Sequence, residues 1–292
     1  MKQCHHLVLD VSFLAWKAFY TTPGLTHDDL PTGVLFGFLR DVKNLEEQFR
    51  TDRTVFCFDG PGKGRREKMH SFYKQKRREK YLTMSEEDKL LHRGMREQVL
   101  RLRTKVLKAL GYRNVLWQKG REGDDVIASV CQDVVDSGLG TVVIVSSDKD
   151  LWQCLRPEIS VWNTKKIVTA NSFTAEWGLS PMQWADVKAI AGCGGDEVPG
   201  IVGIGEKTAA KFLGGKLKDT TKAWQKIVDG NRIWRRNLPL VSLPLPGTHT
   251  FLLRDDRVTD ERWDRVTAGM GMTSLRSRPR GIKPKRRGLI RQ

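Results

Sequence analysis

Eight carboxylates in this 292-residue chain stand where acids do chemistry rather than solvate a surface. Asp10, Asp59 and Asp148 fall at or just after the ends of short apolar runs. Glu122, Asp124 and Asp125 form an E-G-D-D block where a loop meets a helical pattern. Asp150 follows Asp148 by two residues, and Asp196 lies in the turn Gly192-Cys193-Gly194-Gly195-Asp196. Any one of them alone would read as a helix cap. Eight converging in one place would repel each other and raise their pKa values unless cations offset them. Oxygen-only ligands select hard ions, Mg²⁺ or Mn²⁺, rather than zinc. Two such ions about 3.5–4 Å apart activate water and stabilise both oxygens of an in-line phosphoryl displacement.

The elements that must position these acids alternate between strand and helix patterns. Residues 7–10, 54–59, 114–117 and 141–145 read as strands, and 32–48, 96–110 and 124–135 as helices. Thr141-Val142-Val143-Ile144-Val145 suits a strand buried on both faces. The alternation predicts an α/β fold with helices covering a mostly parallel central sheet. In such sheets ligand sites lie at the carboxyl ends of strands, where the acids fall. After residue 180 the pattern turns helical. Ser180-Pro181 starts one helix and residues 205–213 form another. The expected division is an α/β domain carrying most of the acids over 1–179, a helical region over 180–275 and a disordered basic tail over 276–292.

Composition narrows the partner. Fifty-one Lys and Arg against 34 Asp and Glu give a formal charge of +17, which calls for a polyanion. Residues 63–105 carry fifteen basic and six acidic residues, and 276–292 carry eight basic and no acidic ones. No apolar run approaches the roughly 18 residues of a membrane span. No signal peptide pattern opens the chain, so a cytoplasmic protein is expected. Five scattered cysteines without a C-x-x-C pair argue against disulfides and a zinc site.

In combination and order, these motifs resemble the 5′-nuclease superfamily, which includes phage flap endonucleases, 5′–3′ exonucleases and the 5′-nuclease domain of bacterial DNA polymerase I. The resemblance runs from about Leu7 to Leu243. It rests on Leu9-Asp10, Phe58-Asp59-Gly60, Arg121 through Ile127, Ser146-Ser147-Asp148-Lys149-Asp150-Leu151, Gly192 through Lys207, and Tyr73-Lys74-x-x-Arg77. It implies a PIN-like 5′-nuclease fold with a helical arch over 63–95 and a C-terminal helix–three-turn–helix. It implies that Asp10, Asp59, Glu122, Asp124 and Asp125 serve mainly a first metal, and Asp148, Asp150 and Asp196 mainly a second. Mg²⁺ is the implied ion, with Mn²⁺ able to substitute. Cys193 stands where the family usually has an acid, and a thiol is a poor Mg²⁺ ligand. A weaker second site is therefore expected, with Glu197 compensating in part.

The resemblance also implies DNA-handling parts. Lys74 and Arg77 would stabilise charge on the scissile phosphate, with Tyr73 nearby to stack on a base or to pack. The turn containing Gly203 and Gly205 would grip the duplex backbone and hold a K⁺ ion, with Lys207 and Lys211 on phosphates. Gly200 through Thr208 nearly fits a nucleotide-binding loop, but Glu206 interrupts the Gly-Lys step and no strand precedes it. The implied enzyme is a monomeric, Mg²⁺-dependent 5′–3′ exonuclease and flap endonuclease in replication or repair, free-standing and suited to a phage. It would act on 5′ flaps and branched or 5′-ended duplex DNA. A catalytically weakened branched-DNA binder and a nuclease preferring RNA primers in RNA–DNA hybrids are the alternatives.

Overall fold

The computed structural model describes residues 4–276 apart from 52 and 63. The basic tail beyond Arg276 lies outside the described residues. Six strands form the central sheet: β1 (His6–Asp10), β2 (Arg53–Cys57), β3 (Asn114–Leu116), β4 (Val142–Val145), β5 (Ile159–Trp162) and β6 (Ile167–Val168). Their spatial order is β3-β2-β1-β4-β5-β6, with every pair parallel except β5 with β6. The order reverses between β1 and β4, which makes a crevice at the carboxyl ends of those two strands. Asp10 ends β1, and Ser146 to Asp150 follow β4.

Alternation along the strands feeds two cores. Leu7, Leu9, Phe56, Val143 and Val145 point to one face, beneath the helices Val11–Thr21 and Gly33–Phe49 and under Trp263. Val8, Val55, Val142, Ile144 and Val161 point to the other face, where Val126, Ile127, Val130 and Val134 of the helix Gly123–Asp136 cover them. Both faces are therefore dry, as a parallel sheet requires. All five cysteines are buried. Among the described residues no helix is long and apolar enough to cross a membrane.

The basic segment after β2 folds as helices. Gln75–Thr83 buries none of its side chains, and Tyr81 ties it to the next helix by accepting from Arg96 at 2.6 Å. Glu86–Arg101 starts at a Ser85 cap that accepts from the Asp88 amide at 3.0 Å, and three acids occupy its first turn. It runs through a π-helical stretch, Leu102–Val106, into Leu107–Leu110. The helix expected over 96–110 thus begins ten residues earlier than the pattern indicates.

The C-terminal helices do not build a core of their own. Trp184, Val187 and Ile190 of Trp184–Ala191, Ala209 of Glu206–Leu213 and Ile227 of Lys222–Asp229 share one cluster with the sheet. Beyond them, residues 245–258 strap back across the β3 edge. Asp256 accepts from the Thr54 amide at 3.0 Å and the Arg113 amide at 2.8 Å, while Asn114 exchanges hydrogen bonds with Arg254. Leu245, Phe251, Leu253 and Val258 add apolar contacts to these polar ones.

Candidate active site

The crevice gathers the acids by local capping chemistry. Asp10 ends β1 and caps the next helix, accepting from the Phe13 amide at 2.9 Å. Its other oxygen accepts from Ser146 Oγ at 2.7 Å, across the β1–β4 gap. Burial, with the nearby charges of Asp59 and Asp148, pushes Asp10 up to about 6. Asp59 follows β2 and accepts from the Gly123 amide at 2.7 Å and from Ser12 Oγ at 2.7 Å. A β-carbon on Gly60 would collide with the Gln118 carbonyl, so the chain passes here only as glycine.

Glu122 and Asp124 enter from the start of the helix Gly123–Asp136. Asp124 is pushed well above the usual carboxylate range by burial and by the charges of Asp10, Asp148, Asp59 and Glu122. Asp10, Asp59, Asp124 and Asp148 are thus within mutual electrostatic reach, with Glu122 beside them. Among the described residues, no three such side chains yet converge at ligand distance around one point. The donor set nevertheless fits a hard divalent cation: it is all oxygen, it is at strand ends, and its surplus negative charge is unbalanced.

Burial of these carboxylates has a consequence for stability. Asp10 and Asp150 both sit near 6 against an ordinary 3.8. Folded carboxylates with raised pKa values take up protons on folding between these limits, so the stabilising protonation is lost as pH rises through 6. In EDTA the protein should therefore be more stable at pH 5 than at pH 7.5, by about 1–3 kcal/mol. Urea midpoints of wild type and Asp10→Asn check this. An equal pH dependence in the two would contradict it.

Asp125 is held differently from its neighbour Asp124. It is fully buried, and Arg66 grips it with Nη1 to Oδ2 at 2.7 Å and Nη2 to Oδ1 at 2.8 Å. The Leu245 amide adds 2.9 Å to Oδ1, and the Glu122 amide 3.2 Å to Oδ2. Both oxygens are occupied by these donors, which anchor Asp125 at the root of the basic segment. Arg66 also donates to the Leu240 and Ser242 carbonyls, tying the root of the arch to the C-terminal region. Within the basic run nothing in the sequence separates Arg66 from its neighbours.

The acids expected at a second metal take different partners. Asp148 accepts from the Asp150 amide at 2.8 Å. Asp150 pairs with Lys188 Nζ at 3.0 Å and lies 3.8 Å from Cys193 Sγ. Burial holds the Cys193 thiol well above its ordinary pKa, hence neutral. Asp196 faces the arch, with Lys74 and Arg77 each at 3.6 Å. Glu197 does not compensate for Cys193, because both its oxygens accept from the Lys76 amide at 2.8 Å, at the start of the arch helix.

Tyr73 and Lys74 stand between the two groups of acids. The Tyr73 ring is only 2% exposed and packs with Ala189, Cys193, Val198, Leu240 and Val241. It therefore packs rather than stacks on a base. Its hydroxyl lies 3.0 Å from Glu122 and 3.2 Å from Asp196. Lys74 has φ of 54°, a left-handed conformation uncommon for lysine, and its amide donates to the Asp196 carbonyl at 3.1 Å. Its Nζ reaches Glu122 at 2.6 Å. Burial alone would lower its pKa, but Glu122 and Asp196 reverse this and hold the ammonium charged. Arg77 is 64% exposed in its side chain and free to turn toward a phosphate.

The turn from Gly200 to Gly205 leads into Glu206–Leu213, with Gly205 at the cap position and Gly203 at φ of 79°. Lys207 and Lys211 are exposed on that helix. If each meets a phosphate, Lys207→Ala and Lys211→Ala should each reduce the salt slope of DNA binding by about 1. Fluorescence anisotropy across a salt series measures this, and an unchanged slope would remove that lysine from the interface.

The acids thus lie at the strand ends of a 3-2-1-4-5-6 sheet, facing the basic helical segment that follows β2. The sequence model of the 5′-3′ exonuclease N-terminal resolvase-like domain matches residues 5–178. A 5′-3′ exonuclease of Aquifex aeolicus is 31% identical over 224 residues, covering 75% of this chain and 73% of that protein. DNA polymerase I of Rhizobium leguminosarum is 29% identical over 267 residues, 87% of this chain but 25% of the polymerase. The chain thus spans about three quarters of the first relative and a quarter of the second. Among solved structures, the bacteriophage T5 flap endonuclease in complex with DNA and metal ions matches with TM-score 0.68 and 22% identity, over 82% of this chain and 89% of that one. At that identity the likeness speaks for the fold. The chain belongs to the 5′-3′ exonuclease family.

Proposed function

We propose that the site hydrolyses DNA phosphodiesters at 5′ flaps and 5′ ends with a divalent metal cofactor, Mg²⁺ by the chemistry of its donors. The carrying observation is the group Asp10, Asp59, Asp124 and Asp148, set against Lys74 at the base of the arch. A divalent ion held by these carboxylates would polarise the scissile phosphoryl group and acidify water. Ser12 and Ser146 fix two of the carboxylates in orientation. Asp125 and Arg66 fix the helix that carries Glu122 and Asp124. Lys74 and Arg77 would meet charge on the scissile phosphate, Lys74 by leaving Glu122 as the phosphate arrives. The exposed lysines of Glu206–Leu213 would hold the duplex side, where a K⁺ ion at the glycine turn would suit the phosphate contact. Such backbone contacts favour shape over sequence.

A substrate panel tests this reading. With Mg²⁺, a 5′-flap duplex should be cut near its junction, leaving a 5′-phosphate, while a 3′-flap and a closed circle stay intact. Equal cutting of 3′ and 5′ flaps would sink the 5′-nuclease assignment.

A further inference from the structure

We propose that this chain holds one resident divalent ion and that the Lys188 ammonium occupies the place of a second. The inference rests on reading the site as a metal-dependent nuclease, and it names a residue the acid pattern alone does not. Lys188 Nζ lies 3.0 Å from Asp150 Oδ1 and 3.2 Å from Glu206 Oε1, and its side chain is 12% exposed. Lys149 approaches the other Glu206 oxygen at 3.5 Å. Two carboxylates and two ammonium groups therefore balance in this corner.

Asp148 faces Asp10 and Asp124, and the other donors that could build a second site here are committed elsewhere. Asp150 holds Lys188. The Cys193 thiol beside it is buried, and a neutral thiol is a poor ligand for a hard ion. Asp196 is turned toward Tyr73, Lys74 and Arg77. Glu197 caps the arch helix. An ion entering beside Asp150 would have to expel Lys188 into a largely enclosed space and leave Glu206 short of a partner. Breaking a buried charge pair from one side is costly. In contrast, Asp10, Asp59, Asp124 and Asp148 face one another, and among the described residues no lysine or arginine acts on Asp10 or Asp124. One corner is short of positive charge and the other is already supplied.

Glu206 gives Lys188 a second task. It is the first residue of Glu206–Leu213, directly after the glycine turn. Lys188 thus ties that turn to Asp150, and through the Asp150–Asp148 hydrogen bond to the front acids. Lys188 is a positioning residue that supplies a fixed charge.

Counting Mn²⁺ bound to the full chain without DNA, by calorimetry and by the EPR signal of free Mn²⁺, tests the proposal. Wild type should bind one ion per chain, and Asp10→Asn should weaken it at least tenfold. The pair Lys188→Met with Cys193→Asp should bind two, and Cys193→Asp alone guards against a double variant that fails to fold, since it should stay at one. Two ions of similar affinity in wild type, or a folded double variant that still binds one, would overturn the proposal. A chain that binds one ion and cuts no DNA would sink the nuclease reading and leave this one standing. A chain that binds two and cuts flaps does the reverse.

Discussion

Asp10→Asn should lower flap cleavage by about a thousandfold, the roughly 4 kcal/mol that one electrostatic element of such a site contributes. The same variant should be more stable than wild type in EDTA above pH 6. Asn keeps the cap to the Phe13 amide and can still partner Ser146. What it removes is a buried charge repelled by Asp59 and Asp148. Activity and stability moving in opposite directions distinguish a functional acid from a structural one. Single-turnover cleavage and urea unfolding on the same preparation measure both. A variant that loses activity and stability together would mean that Asp10 serves as a cap alone.

Arg66→Met should do the opposite and lower stability by about 3–5 kcal/mol, the usual result of leaving one partner of a buried pair unpaired. In a chain of this size the melting temperature should drop by roughly 10 °C. Asp125 would be left buried with only the Leu245 and Glu122 amides. Arg66 would also vacate the Leu240 and Ser242 carbonyls. Asp125→Asn should share much of this loss, and the two changes should combine sub-additively because they remove one interaction. Asp124→Asn, one residue away, should abolish cleavage without destabilising the fold. Calorimetric melts of wild type, the three single variants and the double variant decide the matter. Equal stability of Arg66→Met and wild type would mean that Asp125 is no anchor.

The contrast between Asp124 and Asp125 shows where sequence reading stops. Both belong to one E-G-D-D block, and both sit in the first turn of a helix. Successive helical residues point about 100° apart, so one carboxylate faces the strand ends and the other the Arg66 guanidinium. Spacing along the chain cannot say which. Asp10, Asp59 and Asp148 were legible because apolar strand runs stop on them, and parallel topology then forces those ends together. Tyr73 was legible as part of a motif but not as a buried residue, because its cover comes from Ala189, Leu240 and Val241, far along the chain. Lys188 lay inside an otherwise apolar helical pattern, and only the folded chain brings Asp150 and Glu206 to it from separate segments. Local chemistry wrote the first-turn acids and the caps, while tertiary contacts chose their partners.

The central claim is that these carboxylates make a metal-dependent 5′-nuclease. Its most direct test is cleavage of a 5′-flap duplex labelled at either end, in Mg²⁺ or EDTA, by wild type and Asp148→Asn. Cutting near the junction in Mg²⁺ by wild type, none in EDTA, and loss of cutting in a folded Asp148→Asn that still binds the flap is the predicted result. Tight flap binding by wild type with no cutting in any divalent metal would contradict the account and leave a branched-DNA-binding protein.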